Sequence, residues 1–382
     1  MIEHLEDPPT KFSVNDFLEW NSRASLNHQR EDGSFPPANN GIYDEPETPV
    51  RTTAKWLIAL SHTYDRTKRS EYCEAANKAA DYLLSNEARP HDYTFQSRRT
   101  DNKNKCDGLV GQSSPIRALA EAGTLLGRPE LINEAEEVFR IHPFNRDVGL
   151  WEQIEINGKN LSFDRTLNHQ ISFASAGSFL ASNSTEIKNQ VEHFLNSLTT
   201  NLRTRDNGVI RHFVRPDIST VLKCVFNSPN NYNILWNEFV DYYHRYSKKQ
   251  YVKEVGYHTV NLDHLSTLKS KYTNHKLWQL PKIQHAVEYA LQNQYKESKD
   301  NQSTPYGTML PKITIAHIQQ EFIGDSVDII SNLLAEGISQ NFDFDKGLLT
   351  KNAIDPKFQS SQIYKLTEFD NYEVQINKPA DT

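Results

Sequence analysis

Cysteine, methionine and glycine are scarce in this chain of 382 residues, which contains 3 Cys, 2 Met and 15 Gly. The cysteines, Cys73, Cys106 and Cys224, are odd in number, far apart and without a CxxC spacing. They predict a reducing compartment and no disulfide framework. The sequence also has no basic or apolar leader and no run near the roughly 18 apolar residues that a membrane helix needs. We therefore expect a cytoplasmic protein without stable membrane insertion.

Sequence motifs for metals, nucleotides and nucleophilic serines are missing as well. There is no HExxH and no Cys/His cluster, so no metal site is expected. The chain has no GxGxxG, no phosphate loop and no GxSxG elbow, and we predict no cofactor. Its 42 basic and 49 acidic residues give a net charge of −7, with the basic ones scattered, which argues against nucleic acid as a partner.

Apolar residues recur at helical spacing along nearly the whole chain, as in residues 50–58, 116–123 and 191–198. About a dozen helices are predicted, which is the number in six helical hairpins. A solenoid of helix pairs would show a fixed sequence repeat and short, uniform connections. This chain instead has long polar loops at 30–48 and 86–113. A closed double ring of helices fits better.

Strand signals are few. An Asn157-Gly158 turn between two apolar stretches predicts a short hairpin, and residues 209–213 are a second candidate strand. Both lie between predicted helices, so we interpret them as decorations on the rim. No proline-rich or glycine-rich linker divides the chain, which predicts one domain over residues 1–382 with residues 1–12 and 366–382 as peripheral tails.

Two aspartates stand before predicted helices. Asp107 precedes the helix near Pro115, and Asp164 precedes the one near Leu167. Two carboxylates about 5–10 Å apart can act as an acid and base pair on a glycosidic bond. Each could equally be a helix-capping or turn aspartate. The sequence leaves both interpretations open.

The surroundings of Asp164 favour a binding site. Arg165 follows it, and Asn168, His169 and Gln170 come within the next turn, which makes this helix start rich in hydrogen-bond donors. A lone histidine such as His169 is more often structural than catalytic. Four polar groups at one helix start are harder to explain by packing.

The segment from Tyr43 to Arg51 is equally polar and contains Glu45 and Glu47. Arg51 could hold a substrate carboxylate through a bidentate pair, or it could neutralise one of the two glutamates. Trp151, beside a predicted hairpin edge, is expected to be exposed and to stack on a sugar ring, whereas Trp56 lies in an apolar helix and is expected in the core.

With these residues in place, the chain resembles the archaeal glycosylation-cluster proteins of the AglQ type, which are similar to glycoside hydrolases of families 88 and 105 and to the C-terminal domain of D-glucuronyl C5-epimerase. The resemblance covers most of the chain, and it is carried by residues 41–51, 107–112, 142–145, 149–151, 164–170 and 256–261. It implies an all-α (α/α)6 toroid and a substrate that bears a hexuronic acid. Asp107 and Asp164 occupy places similar to those of the two aspartates of the unsaturated uronyl hydrolases, although here Phe163 precedes the second and Arg165 follows it.

The sequence thus predicts an enzyme that processes a hexuronic-acid-containing glycan or lipid-linked sugar. Asp164 would be the proton donor, Asp107 would position water, and His169 would be a further catalytic group. A C5-epimerase or a glycan-binding protein without catalysis are the alternatives, and the oligomeric state stays open. The candidate substrate-binding residues are Tyr43, Glu45, Glu47, Arg51, Gln112, His142, Asn145, Trp151, Arg165, Asn168, Gln170, Arg211, His212, His258, Asn261 and Tyr306.

Overall fold

A computed structural model describes residues 10–227, 235, 242–243, 246–299, 310–324 and 326–376 of the chain. Within these residues the protein is mostly α-helical with a few short strands, and neighbouring helices form hairpins. Five inner helices pack side by side, and a sixth segment, in which a short α-helix continues as a 3-10 helix, stands between the fifth and the first. The inner elements are Val50–Thr67, Gly108–Leu125, Leu167–Ser178, Lys248–Lys271, Pro311–Phe322 and Pro356–Ser361 with Gln362–Glu368.

An outer layer of helices packs against the inner elements. The outer helices are Ser70–Leu83, Pro129–Ile141, Thr185–Asn201, Pro281–Lys299, Val327–Asn341 and Val14–Ser25, and a further helix, Ile218–Asn227, lies between the third outer and fourth inner helices in the chain. The inner helices are more completely buried than the outer helices, because they are covered on more sides. Every residue from Val50 to Ser61 is buried in the first inner helix, whereas Pro129–Ile141 buries the single stripe of an amphipathic helix.

The ring is closed by its two ends. Lys11–Ser13 and Glu373–Gln375 pair as antiparallel strands, with Phe12 opposite Val374. Ser13 then caps the helix that follows it, through a reciprocal pair of hydrogen bonds with Asp16. The segments expected to be peripheral tails therefore contribute to the structure: Phe12, Leu366, Phe369 and Val374 are buried in the core. No local pattern indicates this pairing, because the two strands are three residues long and lie near opposite ends of the chain.

The predicted rim hairpin is confirmed, with strands Leu150–Ile154 and Asn160–Phe163 joined by a turn at Gly158, and Phe144–Asn145 adds a third strand. Residues 209–213 form single bridges, Thr204 with Ile210 and Thr166 with Phe213, instead of a second hairpin. In the part of the chain that the structure describes, no helix has both the length and the apolar character that crossing a bilayer requires.

Because each outer helix returns the chain, the inner helices run in the same direction and their N-terminal ends meet at one end of the ring. The loops before these helices carry the polar segments 39–48, 98–107 and 164–166. The backbone N–H groups of the first helical turns and the positive ends of the helix dipoles therefore gather at this end. The architecture favours negative charge there.

Ring closure can be tested at Phe17, which is fully buried on the outer helix Val14–Ser25, with its ring centroid 4.8 Å from that of Phe342 and 5.5 Å from that of Phe12. We expect Phe17→Ala to lower the free energy of unfolding by about 3–5 kcal/mol, because it leaves a cavity where the chain ends meet. Urea denaturation measures this. Ile354→Ala, at a residue 75% exposed, should change stability by less than about 0.5 kcal/mol; equal losses would contradict this role for Phe17.

Candidate active site

A cavity of about 370 Å³ opens at the N-terminal end of the inner helices. Seven of the predicted site residues line it, and they come from the loops and helix starts of the first, second and third inner helices and from the segment before the fourth. These residues are Tyr43, Glu45, Arg51, Asp107, Asn168, His169 and His212. Polar groups from helix starts that are distant in the sequence therefore meet around one depression at this end of the ring.

Asp107 is held between two arginines. Its carboxylate pairs with Arg51 through one oxygen and with Arg98 through the other, and Arg51 also pairs with Glu47 at 2.5 Å and donates to the side-chain oxygen of Asn40 at 3.1 Å. Asp107 occupies the N-cap position of its helix, yet its side chain makes no capping bond, and its φ of 56° is left-handed. The capping interpretation is therefore wrong for Asp107, because its carboxylate is used to join two segments.

Asp164 lies behind the cavity wall and holds His169. Its Oδ2 is 2.7 Å from Nδ1 of His169 and accepts the backbone N–H of Leu109 at 3.4 Å, while its Oδ1 accepts the N–H of Thr166 at 3.2 Å. Burial opposes ionisation of Asp164, but His169 and these backbone donors hold its pKa below the usual range. Asp164 is thus kept as a carboxylate, and His169, which lines the cavity, keeps Nε2 for a ligand.

Gly108 explains how the two aspartates come close. Its φ is +58°, and a Cβ at this position would lie 2.6 Å from Oδ2 of Asp164. A side chain would therefore collide with the carboxylate while adopting a backbone conformation that favours glycine. The bare backbone lets the start of the second inner helix approach Asp164.

Two glutamines that the sequence assigned to substrate binding hold the backbone instead. Gln112 exchanges hydrogen bonds with the N–H and C=O of Phe95 and donates to the C=O of Cys106. Gln170 does the same with Trp151 and with the C=O of Asp164. Each is fully buried and fixes the chain at or beside an aspartate. Because these bonds engage both amide groups, the two glutamines hold the backbone near the aspartates and are not available to a ligand.

Several other predicted residues also lie outside the cavity lining. Trp151 is fully buried among aromatic rings, so the prediction that it is exposed for stacking is wrong, whereas Trp56 lies in the core as expected. The Oδ1 atom of Asn145 accepts the N–H groups of Asp147 and Val148, which stabilises a turn. Buried Arg165 donates to the C=O of Val214.

The remaining candidates are placed as follows. His142 is buried with Nδ1 3.0 Å from the carbonyl oxygen of Glu152. Asn261 is buried and Arg211 is half-buried, and neither lines the cavity. Tyr306 lies outside the described residues. The described residues contain no group of three His, Cys, Asp or Glu side chains suited to a metal ion.

His258 illustrates why the fourth inner helix was misinterpreted. Its Nδ1 accepts the N–H of Ile210 at 3.1 Å and its Nε2 is 2.9 Å from the carbonyl oxygen of Ala286, so it fastens two segments inside the protein. The cavity is lined by Lys253, Tyr257, Val260 and His264, which lie on another face of the same helix. A periodicity of 3.6 residues separates these two faces, but the motif around His258 does not indicate which face lines the cavity.

The cavity is also lined by residues that were not predicted as site residues: Lys55, Arg98 and several residues of the closing segment, among them Phe358, Gln362 and Lys365. Lys55 had a signal, since it lies one helical turn after Arg51 and is a lone charge in the apolar run Ala54–Leu60. Arg98 stands in a polar loop, and the closing segment joins the site by ring closure, so neither is marked in the sequence.

Comparisons with known proteins agree with the fold. No family model matches the chain. Archaeal glycosylation protein Q of Haloferax volcanii is 34% identical over 372 residues, which cover 96% of this chain and 100% of that protein. Cellobiose 2-epimerase of Bacillus thermoamylovorans matches with a TM-score of 0.62 at 11% identity, over 93% of this chain and 98% of that chain. An unsaturated glucuronyl hydrolase specific for heparin matches with a TM-score of 0.57 at 10% identity, over 93% and 97%. The predicted toroid of helical hairpins is confirmed.

Removing the carboxylate of Asp107 should destabilise the protein, because Arg51 and Arg98 would be left close together and without their shared counter-ion. Asp107 is 3% exposed, and we expect Asp107→Ala to lower the free energy of unfolding by about 3–5 kcal/mol. Urea denaturation measures the loss. Asp101→Ala is the control, since Asp101 is a 98% exposed partner of Lys105, and its loss should be below about 1 kcal/mol. A small effect at Asp107 would contradict the ion cluster.

Acid should weaken the fold through His258 and His142. Burial lowers the pKa of each to about 4, below the value of about 6.5 for an unfolded histidine. The stability that neutral His258 contributes is therefore complete above about pH 6.5 and is lost as the pH falls towards 4. Urea unfolding at pH 7.5, 6.0 and 5.0 should show this decline, and His258→Asn should make it shallower without abolishing it, since His142 still contributes. Asp263 raises the pKa of His317 despite burial, so His317 opposes the trend; stability that rises on acidification would contradict the assignment.

Proposed function

The chain belongs to the family of archaeal glycosylation protein Q, and on that premise we propose that it is a carbohydrate-processing enzyme acting on a hexuronic acid residue of a glycan or lipid-linked sugar. The proposed reaction is proton transfer at C5, the carbon next to the sugar carboxylate, which epimerises the residue. The observation that carries this proposal is the Asp164–His169 pair at the cavity wall.

The pair has the parts of an acid and base catalyst. Asp164 stays ionised and fixes the imidazole through Nδ1, which leaves Nε2 of His169 for the substrate. The carboxylate also stabilises the imidazolium that forms when His169 takes a proton. The sequence had assigned proton donation to Asp164 itself. The lowered pKa of Asp164 instead favours a role in which its carboxylate positions His169, because a proton donor at neutral pH needs a raised pKa.

A second imidazole in the same cavity supports epimerisation. His212 lines the cavity, and its Nδ1 has no hydrogen-bond partner among the described residues. Burial, followed by the charge of Lys253, lowers the pKa of His212 to about 3. Epimerisation needs one group that removes a proton from one face of the carbon and another that returns a proton to the opposite face. We assign removal of the C5 proton to His169 and delivery of a proton to the opposite face to His212, whose pKa an anionic substrate in the cavity would raise.

The charge of the cavity favours an anionic intermediate. Its lining contains six cationic side chains, Arg51, Lys55, Arg98, Lys103, Lys253 and Lys365, and three carboxylates, Glu45, Asp107 and Asp263. The carboxylates of Glu47 and Asp164, which lie behind the wall, reduce this excess of positive charge. The helix N-termini at this end add to it. Such surroundings stabilise the enediolate formed when C5 loses its proton, whose electron pair moves into the carboxylate.

Hydrolysis of a glycosidic bond is the second candidate, and the position of Asp107 favours it. Asp107 faces the same cavity as His169, so His169 could protonate the departing oxygen while Asp107 orients water. Its transition state is positively charged, however, and resembles an oxocarbenium ion. Arg51 and Arg98 beside Asp107 oppose that charge, and we therefore place hydrolysis second.

Incubating the protein with glucuronic-acid-containing oligosaccharides in heavy water separates the reactions. We expect deuterium at C5 of the uronic residue without bond cleavage, detected by mass spectrometry and NMR. His169→Gln should slow the exchange by about 100-fold to 10,000-fold, as loss of an acid and base group does. His28→Gln, at an exposed histidine, is the matched control and should exchange at the wild-type rate.

Other outcomes of this experiment decide against the proposal in distinct ways. Cleaved products without deuterium at C5 would identify a hydrolase. Binding of the oligosaccharide with neither exchange nor cleavage would identify a glycan-binding protein without catalysis. Unchanged exchange in His169→Gln would remove His169 from the chemistry.

A further inference from the structure

Lys55 is a buried cation without an anionic partner. It is 5% exposed and lines the cavity from the first inner helix, one turn beyond Arg51. No carboxylate oxygen of the described residues lies within 4.0 Å of its ammonium group, which stands over the ring of Phe358 at 3.9 Å from the centroid. Burying an ammonium group costs free energy unless a counter-ion compensates. An anion supplied by a ligand would compensate here.

The other cations of the cavity are placed differently. Arg51 and Arg98 share Asp107, Lys103 pairs with Glu45, and Lys365 is 2.5 Å from Asp263. Lys253 also has no carboxylate partner among the residues that the structure describes, but it is half-buried and so remains open to water. Lys55 is therefore the cavity cation that depends most on a ligand for its counter-charge.

The charged groups around Lys55 come from three segments. Glu47 and Arg51 belong to the first inner helix and the loop before it, Asp355 to the start of the closing segment, and Lys365 to its 3-10 helix. Burial and then Arg51 outweigh the two carboxylates and lower the pKa of Lys55 to about 7. A bound anion would favour the ammonium form and raise this pKa.

We propose that Lys55 binds the carboxylate of the acidic sugar and thereby selects uronic acids over neutral sugars. This assignment rests on the proposed function for the class of substrate, although not for the reaction. Lys55 takes the role of carboxylate binding in place of the arginines among the predicted site residues. Arg51 is shared between Glu47 and Asp107, and Arg165 and Arg211 do not line the cavity.

The walls beside Lys55 suit a sugar. Phe358 provides an apolar ring face under the ammonium group, and Gln362, which lines the same wall, belongs to the closing segment. A carboxylate held at Lys55 is attached to C5, so a positive charge would stand where the enediolate gathers negative charge. Selection of the substrate and support of the intermediate would then depend on the same ammonium group.

Calorimetric titration with D-glucuronate, D-glucose and glucose 1-phosphate at pH 6.5 tests the assignment. We expect wild-type protein to prefer glucuronate, and Lys55→Met to weaken glucuronate binding about tenfold or more, the loss expected for a hydrogen bond to a charged group. Affinity for glucose should not change. Lys55→Met removes an unpaired buried charge and fills its space, so the variant should remain folded; thermal unfolding followed by circular dichroism verifies this.

A matched control and a pH series make the test specific. Lys103→Met removes another cation from the cavity, one already paired with Glu45, and its effect should be below about threefold because a partly exposed pair contributes little. Wild-type affinity for glucuronate should fall between pH 6 and 8.5 as Lys55 loses its proton, whereas that of Lys55→Met should stay flat. The carboxylate remains ionised over this whole range, so the sugar itself contributes no slope.

Results of three kinds would overturn the assignment. Equal glucuronate affinity in wild-type protein and Lys55→Met would do so, and so would binding of the sugar phosphate without glucuronate. Absence of glucuronate binding by wild-type protein would do so as well.

C5 exchange in wild-type protein together with unchanged affinity in Lys55→Met would remove the role of Lys55 alone and leave the proposed function standing. Glucuronate binding that depends on Lys55, without exchange or cleavage, would remove the proposed reaction and leave Lys55 as the selecting residue.

Discussion

The shared ion pair of Asp107 with Arg51 and Arg98 is the constraint on which the site depends. It ties the start of the first inner helix to the loop and the start of the second. Both arginines need the carboxylate, because two guanidinium groups in a largely buried wall repel each other without it. Asp107 accepts a left-handed backbone to reach them. The next residue, Gly108, then passes close enough to Asp164 for the N–H of Leu109 to contact that carboxylate, which in turn holds His169.

Two glutamines keep this arrangement in place from behind. Gln112 and Gln170 each form hydrogen bonds with both the N–H and the C=O of one aromatic residue. Gln112 donates a further hydrogen bond to the carbonyl of Cys106, and Gln170 donates one to the carbonyl of Asp164. Buried amides satisfied in this way are rigid, since moving one would leave several polar groups without partners. The aspartates are thus fixed by the scaffold and need not be held by a substrate.

The positive charge at the cavity follows from the direction of the inner helices. Parallel helices place all their N-termini at one end, and arginine and lysine side chains at the same end add full charges to these partial ones. A site of this polarity suits an acidic substrate and an intermediate that gains negative charge. An epimerase and a glucuronyl hydrolase share the same toroid at about 10% identity to this chain. Side chains at the helix starts, rather than the fold, must therefore decide the reaction.

The sequence by itself determined the helical class, the number of hairpins and the rim hairpin at Gly158, because local periodicity and turn residues specify these features. It did not determine which polar residues face the ligand. Gln112, His142, Gln170 and His258 look like ligand-binding groups in the sequence, yet each is bound to backbone groups inside the protein. Tertiary structure alone decided that the closing segment belongs to the site, since the element packed against a helix determines which of its faces lines the cavity, and the ring is closed by strands 360 residues apart.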